Sequence, residues 1–424
     1  MKYRITARQT HGCSIDLPAS KSIGNRALLI GALAGCLHDV VLPTLCDDTR
    51  VMLDALSTHS RVIDVHNAGT AMRFLTAYFS CLPGEHILTG TPRMQQRPIG
   101  TLVDALREVG AKITYEGTEG YPPLRIEGSK LCGGNIVMRG DVSSQFISAI
   151  LMVAPYMSKG LQLTIVGEVL SQPYIAMTID VMRHCGANVN CQGNTITVAP
   201  IPYNKALSDV ESDWSSASYW YEVAYLNSSQ YQLNGLQNYF ISPQDYPKQG
   251  DCKVAYYYNL LGVKTSYNTS GVTITTDKSH RSAGLIELNL QDNPDLAQTI
   301  IIGCLLKSQH FDITGLNNLR IKECDRIDAL QSEARKLGYV LSQPQEGRLS
   351  WTGERCEVEY PITISTYNDH RMAMAFAPAA LVFDEIYIDN AQVVEKSYPT
   401  FWDDLQRAGF VITPCPDRKE ETPQ

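Results

Sequence analysis

One pattern in the sequence recurs at a nearly constant interval: a helical segment ends on glycine and a strand-like segment follows at once. It occurs as ALREVGAKI, VMRHCGANV, YNLLGVKT, EARKLGYVL and LQRAGFVI, with the glycines at positions 110, 186, 262, 338 and 409. Consecutive glycines are therefore 76, 76, 76 and 71 residues apart. Glycine is the residue that most easily takes the left-handed conformation that ends many helices. Five copies at this period indicate an internal structural repeat.

Each copy also contains an earlier helix start, and a shortened sixth copy without the glycine occupies residues 51–65. This gives twelve expected helix starts, which carry Ser, Thr, Asp, Asn or Pro at positions that favour capping. They are KSIGNR (21–26), DDTR (47–50), NAGTAMR (67–73), QRPIG (96–100), VSSQF (142–146), SQPYI (171–175), DWSSASY (213–219), KQGD (248–251), NPDLAQT (293–299), IKECDR (321–326), NDHRMAM (368–374) and EKSYP (395–399). Strand-like segments such as 356–365 and 385–390 lie between them. This alternation predicts an α/β protein.

Six copies divide most simply into two domains of three copies each, with the polar stretch 208–216 as the crossing point. Two such domains would leave a cleft, and helix N-termini aimed into it would attract anions. A solenoid of six stacked copies is the competing architecture. The repeat by itself favours neither arrangement.

The composition restricts the class of protein. The chain has 424 residues, enough for two or three domains, and no apolar run approaches the ~18 residues that a membrane span needs. The N-terminus lacks the apolar core of a signal peptide. The 12 cysteines are scattered singly, which predicts reduced thiols in a cytoplasmic protein and neither a disulfide framework nor a zinc site. The net charge of −8 argues against a general nucleic-acid surface.

The first predicted helix, in the segment Leu17–Gly35, has an unusual first turn. Ser20 or Ser22 supplies a capping hydroxyl, but the turn also carries the cations Lys21 and Arg26. Because the helix dipole already favours an anion at this end, both cations are expected to face a bound anion. Several other predicted starts also carry Lys or Arg, so a polyanionic ligand is expected to meet a local cluster of cations.

One ordered set of motifs runs through nearly the whole chain: LPASKSIGNRALL, NAGTAMRFL, PRMQQRPIGTLVDALREVGA, GDVSSQFISAILMVAP, SQPYI, SDWSSASY, NPDLAQT, LRIKECDRIDAL, NDHRMAMAF and VEKSYPTF. From about Leu17 to Gly409 it resembles the 5-enolpyruvylshikimate-3-phosphate synthase family. The resemblance implies an α/β fold of two domains, each with three βαβαββ units around a pseudo-threefold axis, and not a solenoid. Because the chain crosses twice, it places one domain at 20–210 and the other at 1–19 and 211–415. Residues 416–424 are expected to form a disordered tail.

The resemblance implies an enzyme that transfers the enolpyruvyl group of phosphoenolpyruvate to the 5-hydroxyl of shikimate 3-phosphate and releases phosphate. This reaction belongs to the shikimate pathway, which leads to chorismate and the aromatic amino acids. The resemblance further implies a cytoplasmic monomer that acts on these two small molecules without a cofactor or metal. Such a protein would bind neither nucleic acid nor membrane, and its two domains would close around the substrates.

The same resemblance assigns residues to each ligand. For shikimate 3-phosphate they are Lys21, Ser22, Arg26, Ser143, Ser144, Gln145, Ser171, Tyr174, Asp295, Asn318 and Lys322. For phosphoenolpyruvate they are Lys21, Gly69, Arg97, Gln145, Glu323, Arg326, Arg371 and Lys396. Asp295 is the candidate to take a proton from the 5-hydroxyl and Glu323 to exchange one with the methylene carbon, while Lys21 would assist either. Taken alone, an aspartate placed like Asp295 is typical of an ordinary helix N-cap.

Four residues depart from the usual pattern of the family, which often has Gly or Pro at these positions: Ala19, His66, Phe74 and Ser212. The first copy of the repeat is also short. These differences would crowd the approach to Gly69. The response to glyphosate, the herbicide associated with this family, therefore stays open.

Two other functions compete with this one. An enolpyruvyl transferase that acts on a UDP-linked amino sugar resembles the same fold, but it usually has a reactive cysteine before the Arg-Pro dipeptide, and TPRMQQRP (91–98) has none. A phosphate-reading nucleic-acid-binding module would explain the cationic helix starts. It conflicts with the net charge of −8 and with the lack of basic stretches interleaved with aromatic residues.

Overall fold

The computed structural model describes residues 1–238, 247–280 and 284–415. Within these ranges, every one of the twelve expected helix starts leads into an α-helix. The helices are α1 (Lys21–Leu33), α2 (Asp47–Ser57), α3 (Gly69–Cys81), α4 (Gly100–Glu108), α5 (Ser144–Val153), α6 (Gln172–His184), α7 (Trp214–Asn227), α8 (Val254–Asn259), α9 (Ala297–Leu306), α10 (Arg326–Lys336), α11 (His370–Phe376) and α12 (Phe401–Arg407).

The capping residues explain where several of these helices begin. The hydroxyl of Ser20 accepts a hydrogen bond from the backbone N–H of Ile23 at 3.3 Å, so the first of the two predicted serines caps α1. Ser143, Asp325 and Asp369 cap α5, α10 and α11 in the same way. Each cap satisfies an N–H that has no partner inside the helix.

The strands are short and lie between the helices. They are β1 (Lys2–Thr6), β2 (Ser14–Asp16), β3 (Val62–Asp64), β4 (Gly84–Thr89), β5 (Lys112–Tyr115), β6 (Leu124–Gly128), β7 (Gly134–Arg139), β8 (Leu161–Val166), β9 (Val189–Gln192), β10 (Thr195–Val198), β11 (Tyr231–Asn234), β12 (Val263–Asn268), β13 (Gly271–Thr276), β14 (Leu285–Asn289), β15 (His310–Thr314), β16 (Leu349–Trp351), β17 (Thr363–Ile364), β18 (Ile386–Ile388) and β19 (Val411–Cys415). The strand expected over 356–365 is reduced to β17. Pro361 has no N–H to donate to a ladder, so pairing begins only after it.

The described strands form five small sheets with a common pattern. Their orders are β3–β4–β6–β5, β7–β8–β10–β9, β2–β11–β13–β12, β14–β15–β16 and β17–β18–β1–β19. In each sheet the first two strands are parallel and the remaining pairs are antiparallel. A helix precedes the second strand of every parallel pair, as α3 does between β3 and β4. The predicted α/β class with βαβαββ units is confirmed.

The first strands of the chain pair with strands from its second half. Strand β1 lies between β18 and β19, with Tyr3 opposite Ile388 and Pro414. Strand β2 runs parallel to β11, with Ile15 opposite Leu233. The N-terminal strand therefore completes a sheet whose other members come more than 350 residues later, as the family resemblance implied.

The chain forms two compact units, and one boundary between them falls between Asp213 and Trp214. The N-terminal unit consists of Ala19–Asp213 and residues 247–250, and the C-terminal unit consists of Met1–Pro18, Trp214–Asn238 and the described parts of 251–415. Gln249 accepts from Ser20 Oγ at 3.0 Å and donates to Asp213 at 2.7 Å, which ties its segment to the N-terminal unit. The predicted domain limits, 20–210 and 211–415, did not include that segment and stay a prediction.

The N-terminal unit has two of the five sheets and the C-terminal unit has three. In the part of the chain that the structure describes, the first repeat has no sheet of its own. It contributes α1 and α2, while β3 joins the sheet of the next copy and Val41 makes a single bridge with Asp209. The short first copy seen in the sequence has therefore lost its strands and kept its helices.

The earlier helix of each copy forms the core, and the glycine-ended helix lies outside it. All ten residues of α9, all seven of α11 and twelve of the fourteen in α7 are buried. A helix that is buried on every side must be surrounded by other elements. In contrast, α4 and α10 each have exposed residues on one face. Each copy therefore supplies one inner and one outer helix.

All five glycines of the repeat have positive φ, between 85° and 104°. Each glycine stands one or two residues after the C-cap residue of a helix; the helices are α4, α6, α8, α10 and α12. This confirms the predicted left-handed helix endings. The tail predicted at 416–424 lies outside the described residues, and no helix in the described ranges is long and apolar enough to cross a bilayer.

Candidate active site

The C-terminal unit gathers three cations around the carboxylate of Asp295. Its Oδ1 lies 3.0 Å from Arg326 Nη1 and 3.4 Å from Lys322 Nζ, and its Oδ2 lies 3.1 Å from Arg371 Nη2. Burial alone would raise the pKa of this carboxyl, but the three cations outweigh burial and hold the pKa well below its usual value. Asp295 lies in the 3₁₀ turn Pro294–Leu296 and caps no helix. The N-cap alternative is therefore wrong, and Asp295 is a partly buried ion-pair partner.

Arg326, the first residue of α10, connects three carboxylates. Its side chain is 1% exposed, and it donates to Asp369 Oδ2 at 2.7 Å, to Asp295 at 3.0 Å and to Glu323 Oε2 at 3.0 Å. Burial would lower the pKa of the guanidinium, but the carboxylates, Asp369 first, raise it instead. Lys396 Nζ approaches the other oxygen of Glu323 at 3.5 Å. These side chains form one ionic network.

Arg371, the second residue of α11, belongs to the same network. Besides its ion pair with Asp295, its Nη1 donates to the backbone oxygen of Asp295 at 3.3 Å and to the hydroxyl of Tyr219 at 3.4 Å. Its backbone N–H donates to Asp369 Oδ1 at 2.9 Å, so the residue that caps α11 also pairs with Arg326. The guanidinium of Arg371 thus makes three hydrogen bonds with described residues, two to Asp295 and one to Tyr219.

Six predicted residues of the C-terminal unit thus share one network, and Asn318 lies next to it. Asn318 is half-buried in the 3₁₀ turn Asn317–Ile321, which runs directly into Lys322. In the part of the chain that the structure describes, no group of three His, Cys, Asp or Glu side chains is arranged to hold a metal ion.

In the N-terminal unit the guanidinium of Arg26 is bonded by neutral groups. Its Nε donates to Thr178 Oγ1 at 2.7 Å, its Nη1 to the backbone oxygen of Ser22 at 2.7 Å, and its Nη2 to Ser148 Oγ and to the backbone oxygen of Tyr174, both at 3.3 Å. Burial lowers the pKa of Arg26 to about 9, which still leaves it charged at neutral pH. The unit therefore contains a desolvated positive charge.

The side chain of Arg97 has N–H donors that no described residue accepts from. Its Nε and Nη1 are buried and have no hydrogen-bond partner among the described residues. The guanidinium lies against Gly69, the first residue of α3, where a Cβ would come within 2.6 Å of Nη1. The next residue, Thr70, accepts from Gln145 Nε2 at 3.1 Å. The structure thus brings the predicted residues Gly69, Arg97 and Gln145 together, and a Cβ at position 69 would force the guanidinium of Arg97 to shift.

The remaining predicted residues of this unit stand at helix starts. Ser143 caps α5 and Ser144 begins it, while Ser171 precedes α6 with a φ of 54°. Lys21 begins α1, and its Nζ lies 3.1 Å from Asp48 Oδ2. The cation expected to face a ligand therefore has a resting partner on α2.

Two of the departures from the family pattern have a physical explanation. His66 has a φ of 49°, a conformation in which glycine is usual, and its N–H donates to Asp64 Oδ1 at 2.7 Å. The ring of Phe74 is fully buried with its centre 5.2 Å from Arg26 Cζ. This aromatic face stabilises the buried guanidinium.

Sequence reasoning missed the partners that hold the predicted cations. Asp369 and Asp48 both stand in helix starts, where an aspartate is read as a cap or as a favourable first-turn charge. Thr178 and Ser148 lie inside helices, where nothing in the local sequence indicates that they bond a buried arginine. The pairing joins residues far apart in the chain, so only the fold reveals it.

Comparisons with known proteins identify the family. A family model described as EPSP synthase (3-phosphoshikimate 1-carboxyvinyltransferase) matches residues 56–405. The chain is 49% identical over 416 residues to the 3-phosphoshikimate 1-carboxyvinyltransferase of Bacteroides fragilis (strain YCH46), covering 97% of this chain and 99% of that protein. A protein of the same name from Sulfurovum sp. (strain NBC37-1) is 35% identical over 421 residues, with 92% and 95% covered. An EPSP synthase structure from Acinetobacter baumannii has a TM-score of 0.72 at 21% identity, covering 98% of this chain and 100% of that one, so it shares the fold. The chain belongs to the EPSP synthase family.

Proposed function

We propose that the protein transfers the enolpyruvyl group of phosphoenolpyruvate to the 5-hydroxyl of shikimate 3-phosphate and releases inorganic phosphate. The observation that carries the proposal is the ionic network of the C-terminal unit, in which the carboxylates of Asp295 and Glu323 share the cation Arg326. The reaction needs cations for two phosphates and a carboxylate, and it needs proton carriers at two places. One network supplies both kinds of group. Membership of the EPSP synthase family supports the same activity.

Phosphoenolpyruvate would be bound by guanidinium groups. Arg326 and Arg371 present planar pairs of N–H donors that match carboxylate and phosphate oxygens, and Lys396 adds a third cation. In the N-terminal unit the buried Nε and Nη1 of Arg97 are donors without a partner among the described residues. An anion beside Gly69 would satisfy them, and this accounts for a costly buried charge.

Shikimate 3-phosphate would be bound mainly by helix starts and by Arg26. The positive charge of Arg26 stays uncompensated among its neutral partners until a phosphate arrives. The serine hydroxyls at the starts of α5 and α6 are suited to a phosphate that only has to be held. The full proposed set is Lys21, Ser22, Arg26, Ser143, Ser144, Gln145, Ser171, Tyr174, Asp295, Asn318 and Lys322.

Asp295 is proposed as the acceptor of the 5-hydroxyl proton. The three cations around Asp295 keep its carboxylate ionised but make it a weak base, because they hold its pKa well below the usual value. When the anionic groups of phosphoenolpyruvate take up Arg326 and Arg371, the pull of these cations on Asp295 is shared. The pKa of Asp295 would then rise toward the range of a working base.

Glu323 is proposed as the proton carrier at carbon. Glu323 enters the reaction protonated. The 5-hydroxyl oxygen adds to C2 of phosphoenolpyruvate as its proton passes to Asp295, and C3 takes the proton of Glu323 to become a methyl group. One methyl proton then returns to Glu323 while the bond from C2 to the phosphate oxygen breaks, and the proton held by Asp295 passes to the departing phosphate, so both carboxyl groups regain their starting states. Arg326 and Lys396, at 3.0 Å and 3.5 Å, hold the Glu323 carboxylate between the two steps. Lys21 would assist either transfer.

A phosphate-release assay with each acceptor in turn tests the function. Release of phosphate from phosphoenolpyruvate is expected only when shikimate 3-phosphate is present. Release with a UDP-linked amino sugar alone would assign the protein to the sister reaction. No release with either acceptor, together with a gel shift of nucleic acid at physiological salt, would point to the binding module instead.

We also propose that the enzyme acts as a monomer in the cytoplasm. All the residues proposed for the ligands come from this one chain. The twelve cysteines are free thiols in the structure, which suits a reducing compartment. Light scattering during size-exclusion chromatography should give the mass of one chain, and a stable dimer would contradict this part of the proposal.

A further inference from the structure

Residues 365–369, which lead into α11, have an unusual backbone. Tyr367 and Asn368 have φ values of 54° and 57°, so two consecutive non-glycine residues are in the left-handed conformation. Asparagine tolerates this conformation, whereas tyrosine rarely adopts it. Such a backbone persists only where the surrounding contacts determine it. This segment must therefore be held firmly by its neighbours.

The carboxylate of Glu333, on α10, holds the segment at two points. Its Oε1 accepts from the hydroxyl of Tyr367 at 2.7 Å, and its Oε2 accepts from the backbone N–H of Ser365 at 3.0 Å. Lys336, about one turn further along α10, lies 2.8 Å from Glu333 Oε2 and donates to the backbone oxygen of Thr363 at 3.0 Å. Glu333 is 0% exposed, so these donors meet a fully buried charge. We call Glu333, Lys336 and Tyr367 the loop clamp.

The loop clamp is coupled to the ionic network through Asp369, the residue that follows Asn368. Asp369 Oδ1 accepts from the backbone N–H of Arg371 at 2.9 Å, and Oδ2 accepts from Arg326 Nε at 2.7 Å. Arg326 and Glu333 stand on the same helix, at its first residue and about two turns later. Helix α10 therefore holds Ser365 and Tyr367 through Glu333, and Asp369 of the same segment in turn holds Arg326, the first residue of α10.

The hydroxyl of Tyr367 is a permanent donor in this arrangement. Its desolvation and its hydrogen bond to Glu333 raise the pKa of Tyr367 to about 12. On the other side of the segment, Asn390 Nδ2 donates to Asn368 Oδ1 at 2.7 Å. Both residues of the strained pair are thus held by side-chain hydrogen bonds, and Tyr367→Phe removes the first of these by deleting a single oxygen atom.

We propose that Glu333 and Tyr367 are positioning residues for the transfer reaction. They fix residues 365–369 so that Asp369 holds Arg326, and the start of α11 holds Arg371, where both guanidinium groups bind phosphoenolpyruvate. This rests on the proposed function in one respect, since Arg326 and Arg371 must be ligands of phosphoenolpyruvate. Glu333 and Tyr367 themselves touch no substrate.

Tyr367→Phe removes the hydroxyl and keeps the ring, so it lets the segment shift. A displacement of about 1 Å in a binding group costs roughly 10²-fold in catalysis. We expect the KM for phosphoenolpyruvate to rise by roughly 10- to 100-fold, with a smaller change in the KM for shikimate 3-phosphate. Glu333→Gln acts on the same hydrogen bond, so the double variant should show no larger rise than the stronger single variant. A clamp that served only the fold would lower the Tm and leave the KM of the folded enzyme unchanged.

Asp312→Asn is the matched control. Asp312 accepts from Arg348 Nε at 2.7 Å in the same unit, away from residues 365–369 and from α10. This variant loses an ion pair without touching the loop clamp, so its KM for phosphoenolpyruvate should equal that of the wild type. Steady-state kinetics with each substrate varied gives the comparison. An unchanged KM in Tyr367→Phe, or a double variant whose KM rises by the product of the two single effects, would overturn the proposal.

Arg371→Lys separates this proposal from the assignment of ligands on which it rests. If Arg371→Lys raises the KM for phosphoenolpyruvate and Tyr367→Phe does not, the positioning role fails and the ligand assignment stands. If Arg371→Lys leaves that KM unchanged, the ligand assignment itself fails. Should Glu333→Gln not fold, Tyr367→Phe measured against Asp312→Asn decides alone.

Discussion

The two units hold the arginines proposed as ligands in opposite ways. In the C-terminal unit Arg326 is bonded to three carboxylates, the nearest being Asp369 at 2.7 Å. In the N-terminal unit Arg26 is bonded to neutral groups, and Arg97 has two buried nitrogens with no hydrogen-bond partner in the described ranges. A buried charge without a counter-ion is costly, whereas a buried pair becomes costly only when one partner is removed. Arg326 and Arg371 of the C-terminal unit are thus paired with carboxylates, whereas the bonds of Arg26 in the N-terminal unit go to neutral groups.

This difference assigns different work to the two units. An anion that reaches Arg26 or Arg97 gains electrostatic free energy without displacing a protein carboxylate, so these residues should supply affinity. An anion that reaches Arg326 or Arg371 must share them with Asp295, so it gains less affinity but changes the charge around a proton carrier. Binding and chemistry would then depend on different arginines.

The largest effect on stability is expected from Arg326→Met. The change leaves Asp369, which is fully buried, and the partly buried Asp295 and Glu323 without their common cation. Breaking a buried pair typically costs about 3–5 kcal/mol of unfolding free energy. Urea denaturation monitored by fluorescence measures it. Arg348→Met is the control, because Arg348 pairs with Asp312 while 34% exposed, and such pairs are worth about 0–1 kcal/mol. Equal losses in both variants would contradict the buried network.

Unlike Arg326→Met, Arg97→Met should not destabilise the protein, but it should weaken the binding of phosphoenolpyruvate. Removing a buried guanidinium with unpaired nitrogens leaves the unfolding free energy unchanged or raises it. The affinity for phosphoenolpyruvate, measured by calorimetry in the presence of shikimate 3-phosphate, should fall by about 2–5 kcal/mol. Arg183→Met serves as the control, since Arg183 donates to the backbone oxygen of Val189. A loss of stability as large as that of Arg326→Met would remove the contrast between the units.

The smallest effect on stability is expected from a buried carboxylate, Glu222, which has no cation beside it among the described residues. Glu222 on α7 is fully buried, its two oxygens have no hydrogen-bond partner among the described residues, and it lies near Tyr258 and Cys304. Burial raises the pKa of Glu222 well above its usual value. The folded protein therefore binds a proton that the unfolded chain releases above about pH 4.3, so stability falls as the pH rises from there toward the folded pKa.

Glu222→Gln removes this titration. The Tm of the variant should exceed that of the wild type by an amount that grows as the pH rises above about 4.3, with each kcal/mol worth about 2–4 °C. Differential scanning calorimetry between pH 5 and pH 8 gives the difference. A constant difference across that range would mean that Glu222 does not take up a proton on folding.

Much of the fold was predictable because its signals are local. A glycine after a helix and a Ser or Asp before one act within a few residues, and each of the twelve helices in the described ranges begins within or shortly after one of the predicted starts. The strand at 356–365 was overestimated because pairing depends on what lies opposite, as β17 shows. The sequence showed that the first copy is short, but it predicted neither the absence of a separate sheet among the described residues of this copy nor the pairing of β3 with β4.

The sequence predicted which residues belong to the site, but not which ion pairs they form with one another. Family motifs named Asp295, Arg326 and Arg371, yet no motif states that one carboxylate meets three cations. Lys21 and Asp48 are 27 residues apart, on different helices, and their contact depends on how α1 packs on α2. Residue type sets what a side chain is able to do, and the tertiary fold decides what it pairs with.

The central claim is that a carboxylate of the C-terminal network moves a proton at carbon while the 5-hydroxyl adds to C2. Turnover in deuterated water, followed by mass spectrometry of the product, tests it directly. The transient methyl group rotates, so deuterium should appear in the vinyl group of the product. It should also appear in phosphoenolpyruvate that forms again when the intermediate reverts. In Glu323→Gln the rate of this labelling should fall by roughly 10²–10⁴-fold. A product made in deuterated water with no deuterium in its vinyl group would contradict the addition–elimination mechanism and the role of Glu323 with it.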